Sequence, residues 1–365
     1  MMNFNQSDST LMIYNGGELI RLNDFKQTEE GLVYPFPVYD THIVIDSMGA
    51  SLHGRWVKNY VDDYEVEFRA GRLEEMKDDD CGIAIPKLDG KYEVTFNRDG
   101  KERKAVMLLE TQGDSISGTV LTNTGDYRYL HGKITCTQFT LNTFDGENAY
   151  HFDVQITPRA ELEGDFYSGK TRHETFYAVL NDDFQLDDPT TIGSSDSKAS
   201  GMQLIGWNMQ GEKVSFEDLV EGGQPAIIQL LGTWCPNCMD EAAFMSRWLK
   251  EHPDLDLAVV GVAFELKDDL DYARTRIQAF SDKHALPYDI VFAGKKSREN
   301  VQRVFPFLDG VIAYPTTIYL NRDHEVEKIY TGFSGPASGA YHEKFVREFE
   351  STVEFITGQS LTPSP

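Results

Sequence analysis

Long apolar runs are missing from this chain. No stretch approaches 18 consecutive apolar residues, and the start, "MMNFNQSDST", is polar. Neither a membrane-spanning helix nor a secretion signal is therefore expected in the chain as it stands. Positive charge is also scarce: 34 Lys and Arg face 59 Asp and Glu, a formal net charge of -25 at pH 7. No Lys/Arg-rich run reverses that balance locally, which disfavours nucleic acid and anionic lipid surfaces as partners. Cysteine is sparse, and four in 365 residues do not make a disulfide scaffold. The rest is ordinary globular composition, 40% hydrophobic and 12% aromatic. That length and composition suffice for two or three domains with cores of their own.

Residues from about 10 to 180 lack any long segment of 3.6-residue period and read as nearly pure β. Tyr64, Val66 and Phe68 alternate with acidic residues, and Tyr92, Val94 and Phe96, then Phe139 and Leu141, then Phe152, Val154 and Ile156 alternate with polar ones. Turn signals such as Asp99-Gly100, Gly113-Asp114 and Asp145-Gly146 separate these runs. The spacing predicts an all-β domain over 1–185, an antiparallel barrel or sandwich, with a lipocalin-like barrel favoured. Residues 186–200 turn abruptly to Asp, Ser, Thr and Gly and read as a linker. Residues 201–357 then alternate buried-type strands ("QPAIIQLLG", "LDLAVVGVAF", "YDIVF", "TTIYL") with helices over 236–250, 268–284 and 340–357, an α/β layout. Residues 358–365 read as a flexible tail.

The chemistry concentrates in "LGTWCPNC". Cys235 and Cys238 are two residues apart, at the passage from a buried strand into a helix whose first turn tolerates Pro236. A structural zinc site needs four ligands, and Cys81 and Cys136 stand alone with no His pair at ligand spacing. A disulfide across two residues closes too small a loop to stabilise much. The redox reading fits the position: orphan N–H groups and the helix dipole favour a thiolate at Cys235, and Cys238 stands one turn further in to resolve a mixed disulfide. Cys81 and Cys136 read as unreactive, with their mutual pairing the minor alternative. His42, His53, His131, His151 and His173 lie at no metal-ligand spacing and read as strand or turn residues, and "RHETF" (172–176) as a strand face rather than a pocket wall.

"TWCPNC" after an apolar strand, with "YPTTIYL" some 80 residues later, resembles the thioredoxin superfamily. More closely, it resembles the TlpA/ResA-like thiol-disulfide oxidoreductases, including Bacteroidetes envelope proteins with a β-rich N-terminal domain. "LIGWNMQGEKVSFEDL", "GVAFE" and "YTGFSGPASG" are similar to segments of that branch. The resemblance implies a C-terminal thioredoxin fold, with Pro315 at the cis-proline position flanked by Tyr314 and Thr316. Trp234, Pro236, Tyr314, Pro315 and Thr316 would line the substrate groove. The resemblance also implies that Glu265 is an active-site carboxyl; a solvated strand-end carboxylate is the plainer alternative. Thioredoxin's buried Asp, six residues before the first cysteine, is here Gln229, which cannot accept a proton, and Glu265 is the candidate replacement. A peroxiredoxin motif would need Thr at 232 and Pro at 228, which are Gly232 and Ile228.

The reading is a protein-disulfide reductase that needs no cofactor or metal beyond the Cys235–Cys238 dithiol. Its partners would be protein disulfides or thiols and an upstream electron donor. The resemblance places it in the periplasm or cell envelope, with the membrane reached only through an N-terminal anchor that the chain as it stands lacks. The alternatives are an oxidase or isomerase of envelope proteins, or a glycan- or lipid-binding protein whose thioredoxin domain is an appendage.

Overall fold

A computed structural model describes residues 2–5, 10–48, 51–70, 86–194 and 201–361. The chain falls into two compact units: Met1–Thr122 with Tyr127–Leu186, and Asn123–Asp126 with Asp187–Pro365.

The first unit is all antiparallel β. Eight of its strands close into a barrel: Gly90–Arg98, Lys101–Gln112, Ser115–Thr122, Leu130–Thr135, Gln138–Phe144, Ala149–Ile156, Leu162–Ser168 and Arg172–Leu180. Closure comes from Lys101–Gln112, which pairs with Gly90–Arg98 on one side and Ser115–Thr122 on the other. The period-2 alternation seen in the sequence sends Phe96, Leu141, Phe152, Val154 and Phe166 inward, where all are fully buried. Their rings interlock, with Phe152 and Phe166 centroids 4.6 Å apart and Phe96 and Phe166 5.5 Å apart. The lumen is thus filled by side chains.

Where the sequence predicted one barrel or sandwich from residue 10 onward, the closed barrel spans only 90–180. The earlier strands form a three-stranded sheet ending at Leu22 and a five-stranded sheet from Lys26 to Ala70. Cys136, in a tight turn with φ of 53°, is disulfide-bonded, correcting the preference for an unpaired thiol; Cys81 lies outside the described residues.

The second unit is a seven-stranded mixed sheet in the order 213–215, 205–207, 289–295, 258–265, 226–231, 316–320, 326–331. The three central strands are parallel, and Thr316–Leu320 returns antiparallel beside Ala226–Leu231. Successive residues of the central strand serve opposite faces. Ile227 packs with Phe244, Trp248, Phe345 and Phe349 of helices α1 (Pro236–Glu251) and α4 (Ala340–Thr357). Ile228 packs with Val262, Val301 and Phe305 on the other face, beside α3 (Arg298–Val304). Both faces are covered, which is why these strands read as continuous apolar runs. Helix α2 (Leu270–His284) starts on the Asp269 side chain, which accepts from Tyr272 N. The short helix α3, capped by Ser297, had no counterpart in the sequence reading, because seven residues leave too little periodicity to detect.

The segment after Leu186 is bonded into the second unit. Thr331 N donates to Pro189 O at 2.9 Å, Val311 N to Ile192 O at 2.7 Å, and Gly310 N to Gly193 O at 3.2 Å. At the other end Leu361 N donates to Glu354 Oε1. A fragment of residues 187–365 is accordingly expected to fold and reduce a model disulfide. A fragment starting at 201 loses those three bonds, each worth roughly 1 kcal/mol, and should melt several degrees lower. Thermal circular dichroism of the two fragments checks this; equal midpoints would show that 187–193 contributes nothing to the fold.

Candidate functional site

The site starts at the end of the strand Ala226–Leu231, whose six residues are all buried. Gly232 follows, and a Cβ there would lie 2.2 Å from Trp234 Nε1. Only glycine lets the indole fold back over the chain. That indole donates to Phe264 O at 2.9 Å and meets the Tyr314 ring edge-on, centroids 4.9 Å apart. The Lys296 ammonium sits 3.5 Å from the Trp234 ring centroid, a cation–π contact on the wall of the site.

Cys235 is the N-cap residue of α1. It is extended, at φ -102° and ψ 115°, with Pro236 at the first helical position. Its Sγ accepts from Cys238 N at 3.2 Å and contacts Tyr314 O at 3.1 Å. Tyr314–Pro315 is a cis peptide bond. The helix terminus supplies Cys235 with an N–H donor and faces it with the positive end of the dipole. Cys238 sits deeper, with 2% of its surface exposed against 5% for Cys235. Burial, the Cys235 sulfur and Glu241 together push the Cys238 thiol well above its ordinary range. Both cysteines are free thiols.

Two buried carboxyls flank this pair, each 1% exposed. Glu265 ends the strand Ala258–Glu265 and binds the approach loop: its oxygens accept from Thr233 N at 3.0 Å and Thr233 Oγ1 at 2.8 Å. Glu241 lies one helical turn beyond Cys238 on α1 and reaches back toward the sheet. It accepts from Gln229 Nε2 at 2.9 Å and Thr317 Oγ1 at 2.6 Å. Burial outweighs these hydrogen bonds, and both carboxyls are pushed up to about 7. Tyr288 Oη and Gln229 Oε1 are buried without a hydrogen-bond partner. The Tyr288 hydroxyl, raised chiefly by burial, also feels Glu241 and Cys238.

The structure brings Trp234, Cys235, Cys238 and Tyr314 together, with Pro315 following Tyr314 across the cis bond. It places Thr316 behind them, its hydroxyl donating to Ala313 O. Glu265 holds Thr233, two residues before Cys235, and the charge of Glu241 reaches Cys238. Glu241 and Lys296 went unnoticed in the sequence. The signal for Glu241 was present: a Glu three residues after Cys238 on a helix shares its face, opposite a strand carrying Gln229. Among the described residues no group of three or more His, Cys, Asp or Glu could hold a metal ion, and no helix is long and apolar enough to cross a membrane.

The AhpC/TSA family model matches residues 196–329. The thiol-disulfide oxidoreductase ResA of Halalkalibacterium halodurans is 23% identical over 149 residues, 40% of this chain and 71% of that protein. Among solved structures, a thioredoxin family thiol:disulfide interchange protein from Chlorobium tepidum is 18% identical, covering 45% of this chain and 99% of its own, with a TM-score of 0.33. A secreted thiol-disulfide isomerase from Corynebacterium glutamicum is also 18% identical, covering 47% and 96%, with a TM-score of 0.33. The second unit has a thioredoxin-like fold, and the family and ResA matches, with the dithiol at the start of α1 and the cis Tyr314–Pro315 bond, support a TlpA/ResA-like reading of it.

Proposed function

We propose that this protein is a protein-disulfide reductase working through Cys235 and Cys238. The observation that carries the reading is the asymmetry of the pair, one sulfur capping a helix beside the Tyr314 carbonyl and the other buried beneath it. The Cys235 thiolate attacks a substrate disulfide, forming a mixed disulfide and expelling one substrate sulfur, which takes a proton. Cys238 gives up its proton, attacks Cys235 Sγ and releases the second substrate sulfur as a thiol. The substrate gains two electrons and two protons, the protein keeps a Cys235–Cys238 disulfide, and an upstream dithiol donor must reduce it.

Glu241, held near neutrality by burial, is the acceptor for the Cys238 proton. Glu265 positions Thr233 and with it the approach to Cys235. Trp234, Pro236, Tyr314, Pro315 and Thr316 form the rim where an extended substrate chain is received. The disulfide at Cys136 favours an oxidising compartment, in line with a periplasmic or envelope site.

The similarity to ResA favours the reductase direction, and the reduction potential of the pair decides it. A reduction potential below about -200 mV, on the thioredoxin side of the known span, is expected from equilibration with glutathione or dithiothreitol, together with insulin reduction. A potential near about -120 mV, the DsbA value, would reverse the direction to oxidase.

A further inference from the structure

The first unit carries a cavity of about 460 Å³ that lies outside the filled barrel lumen, a volume typical of small-molecule sites. Strand register builds its polar floor. His131 faces Asn142, Asn142 faces His151, and His151 faces Tyr167 across successive strands. Their inward-pointing neighbours Leu130, Leu141, Phe152 and Phe166 are buried in the barrel core. His151 Nδ1 bonds Asn142 Oδ1 at 2.6 Å, while His131 Nδ1 is buried with no hydrogen-bond partner. Aromatic walls come from Trp56 and Phe68 of the five-stranded sheet and from Phe144, Tyr150 and Tyr167 of the barrel. Tyr167 is 41% exposed, a large aromatic surface left open to solvent.

The charge of this cavity runs against that of the chain. With 59 acidic residues in the sequence, no Asp or Glu among the described residues lines it, and among them its one formal charge is Arg69. Arg69 has no ion-pair partner among the described residues. A guanidinium beside an aromatic hollow attracts an anionic head, and the rings take a flat or apolar body.

We infer that this cavity binds an amphipathic organic acid, its anionic group on Arg69 and its apolar or aromatic body against Trp56, Phe68 and Tyr167. The site is independent of the dithiol chemistry.

The test uses the full chain and two probes sharing one ring system, 8-anilinonaphthalene-1-sulfonate and its uncharged relative N-phenyl-1-naphthylamine. The sulfonate should bind saturably at one site per chain, with quenching of tryptophan fluorescence, and more tightly than the uncharged probe. Arg69→Ser should weaken the sulfonate about tenfold and leave the uncharged probe unchanged, whereas Tyr167→Ala should weaken both. Phe355→Ser, which removes the most exposed aromatic of the other unit at 72% exposure, should change neither. Equal affinity for both probes, with indifference to Arg69→Ser, would mean a neutral apolar pocket and overturn the assignment. So would a sulfonate signal that disappears in Phe355→Ser, or the absence of saturable binding.

Discussion

Replacing Cys238 with Ser is expected to turn catalysis into a single covalent event, with insulin reduction falling to the uncatalysed rate. Cys235 keeps what makes it a nucleophile, its N-cap position and the backbone N–H of residue 238. Attack on a substrate disulfide therefore still occurs, and a mixed disulfide forms. A serine hydroxyl is too weakly acidic to displace the bound sulfur, so the adduct persists. The purified variant, exposed to envelope proteins under oxidising conditions, should carry dithiothreitol-sensitive adducts through Cys235, and Cys235→Ser should carry none. Equal adduct yields in the two variants, or turnover surviving in Cys238→Ser, would dismiss the exchange mechanism. Both side chains are buried, so circular dichroism of each variant must first match the parent.

How far the sequence foretold this site follows from distance along the chain. The dithiol and its helix are contiguous, so "TWCPNC" carried its own context. Tyr314 and Pro315 lie 80 residues on and were found only because the family resemblance supplied their role. Glu265 was singled out because the family resemblance put a carboxyl at its strand end, yet strand position alone does not say which buried partner a carboxyl meets. Its oxygens are taken by Thr233. Glu241 was overlooked because a Glu near the start of a helix reads as solvated; only the packing of α1 on the sheet turns it inward to Gln229 and Thr317. Where the resemblance to thioredoxin would put an Asp, this chain has Gln229, and it is Glu241 on the helix that meets Gln229 with a buried carboxyl. In the first unit, period-2 patterning sufficed for inward and outward faces. It could not give register, so the row from His131 to Tyr167 is invisible in a sequence where its members stand far apart.

Glu241→Gln and Glu265→Gln should separate two roles that one position was expected to fill. Both carboxyls are held near 7 by burial, and Glu241 bears on Cys238 electrostatically. Glu241→Gln removes the proton acceptor, so the resolving step should slow toward the lower end of the roughly 10- to 10,000-fold range of general acid–base catalysis. The pH profile of Cys238 alkylation should change with it. In Glu265→Gln the amide can accept only one of the two hydrogen bonds from Thr233, so the loop before Cys235 loosens and exchange should fall by a similar factor at every pH. Stability gives an independent reading. A carboxyl with its folded pKa raised above the ordinary 4.5 holds a proton that the unfolded chain releases. Its contribution is therefore fully present below pH 4.5, is lost as pH rises toward about 7, and stays lost above. For a fully buried group raised that far the loss is about 3 kcal/mol. The parent should accordingly be harder to denature at pH 5 than at pH 8, and Glu241→Gln should narrow that gap. Stopped-flow release of the mixed disulfide and urea midpoints at the two pH values would measure both effects. If Glu241→Gln leaves the alkylation profile and the midpoint gap unchanged while Glu265→Gln shifts both, the proton acceptor is Glu265.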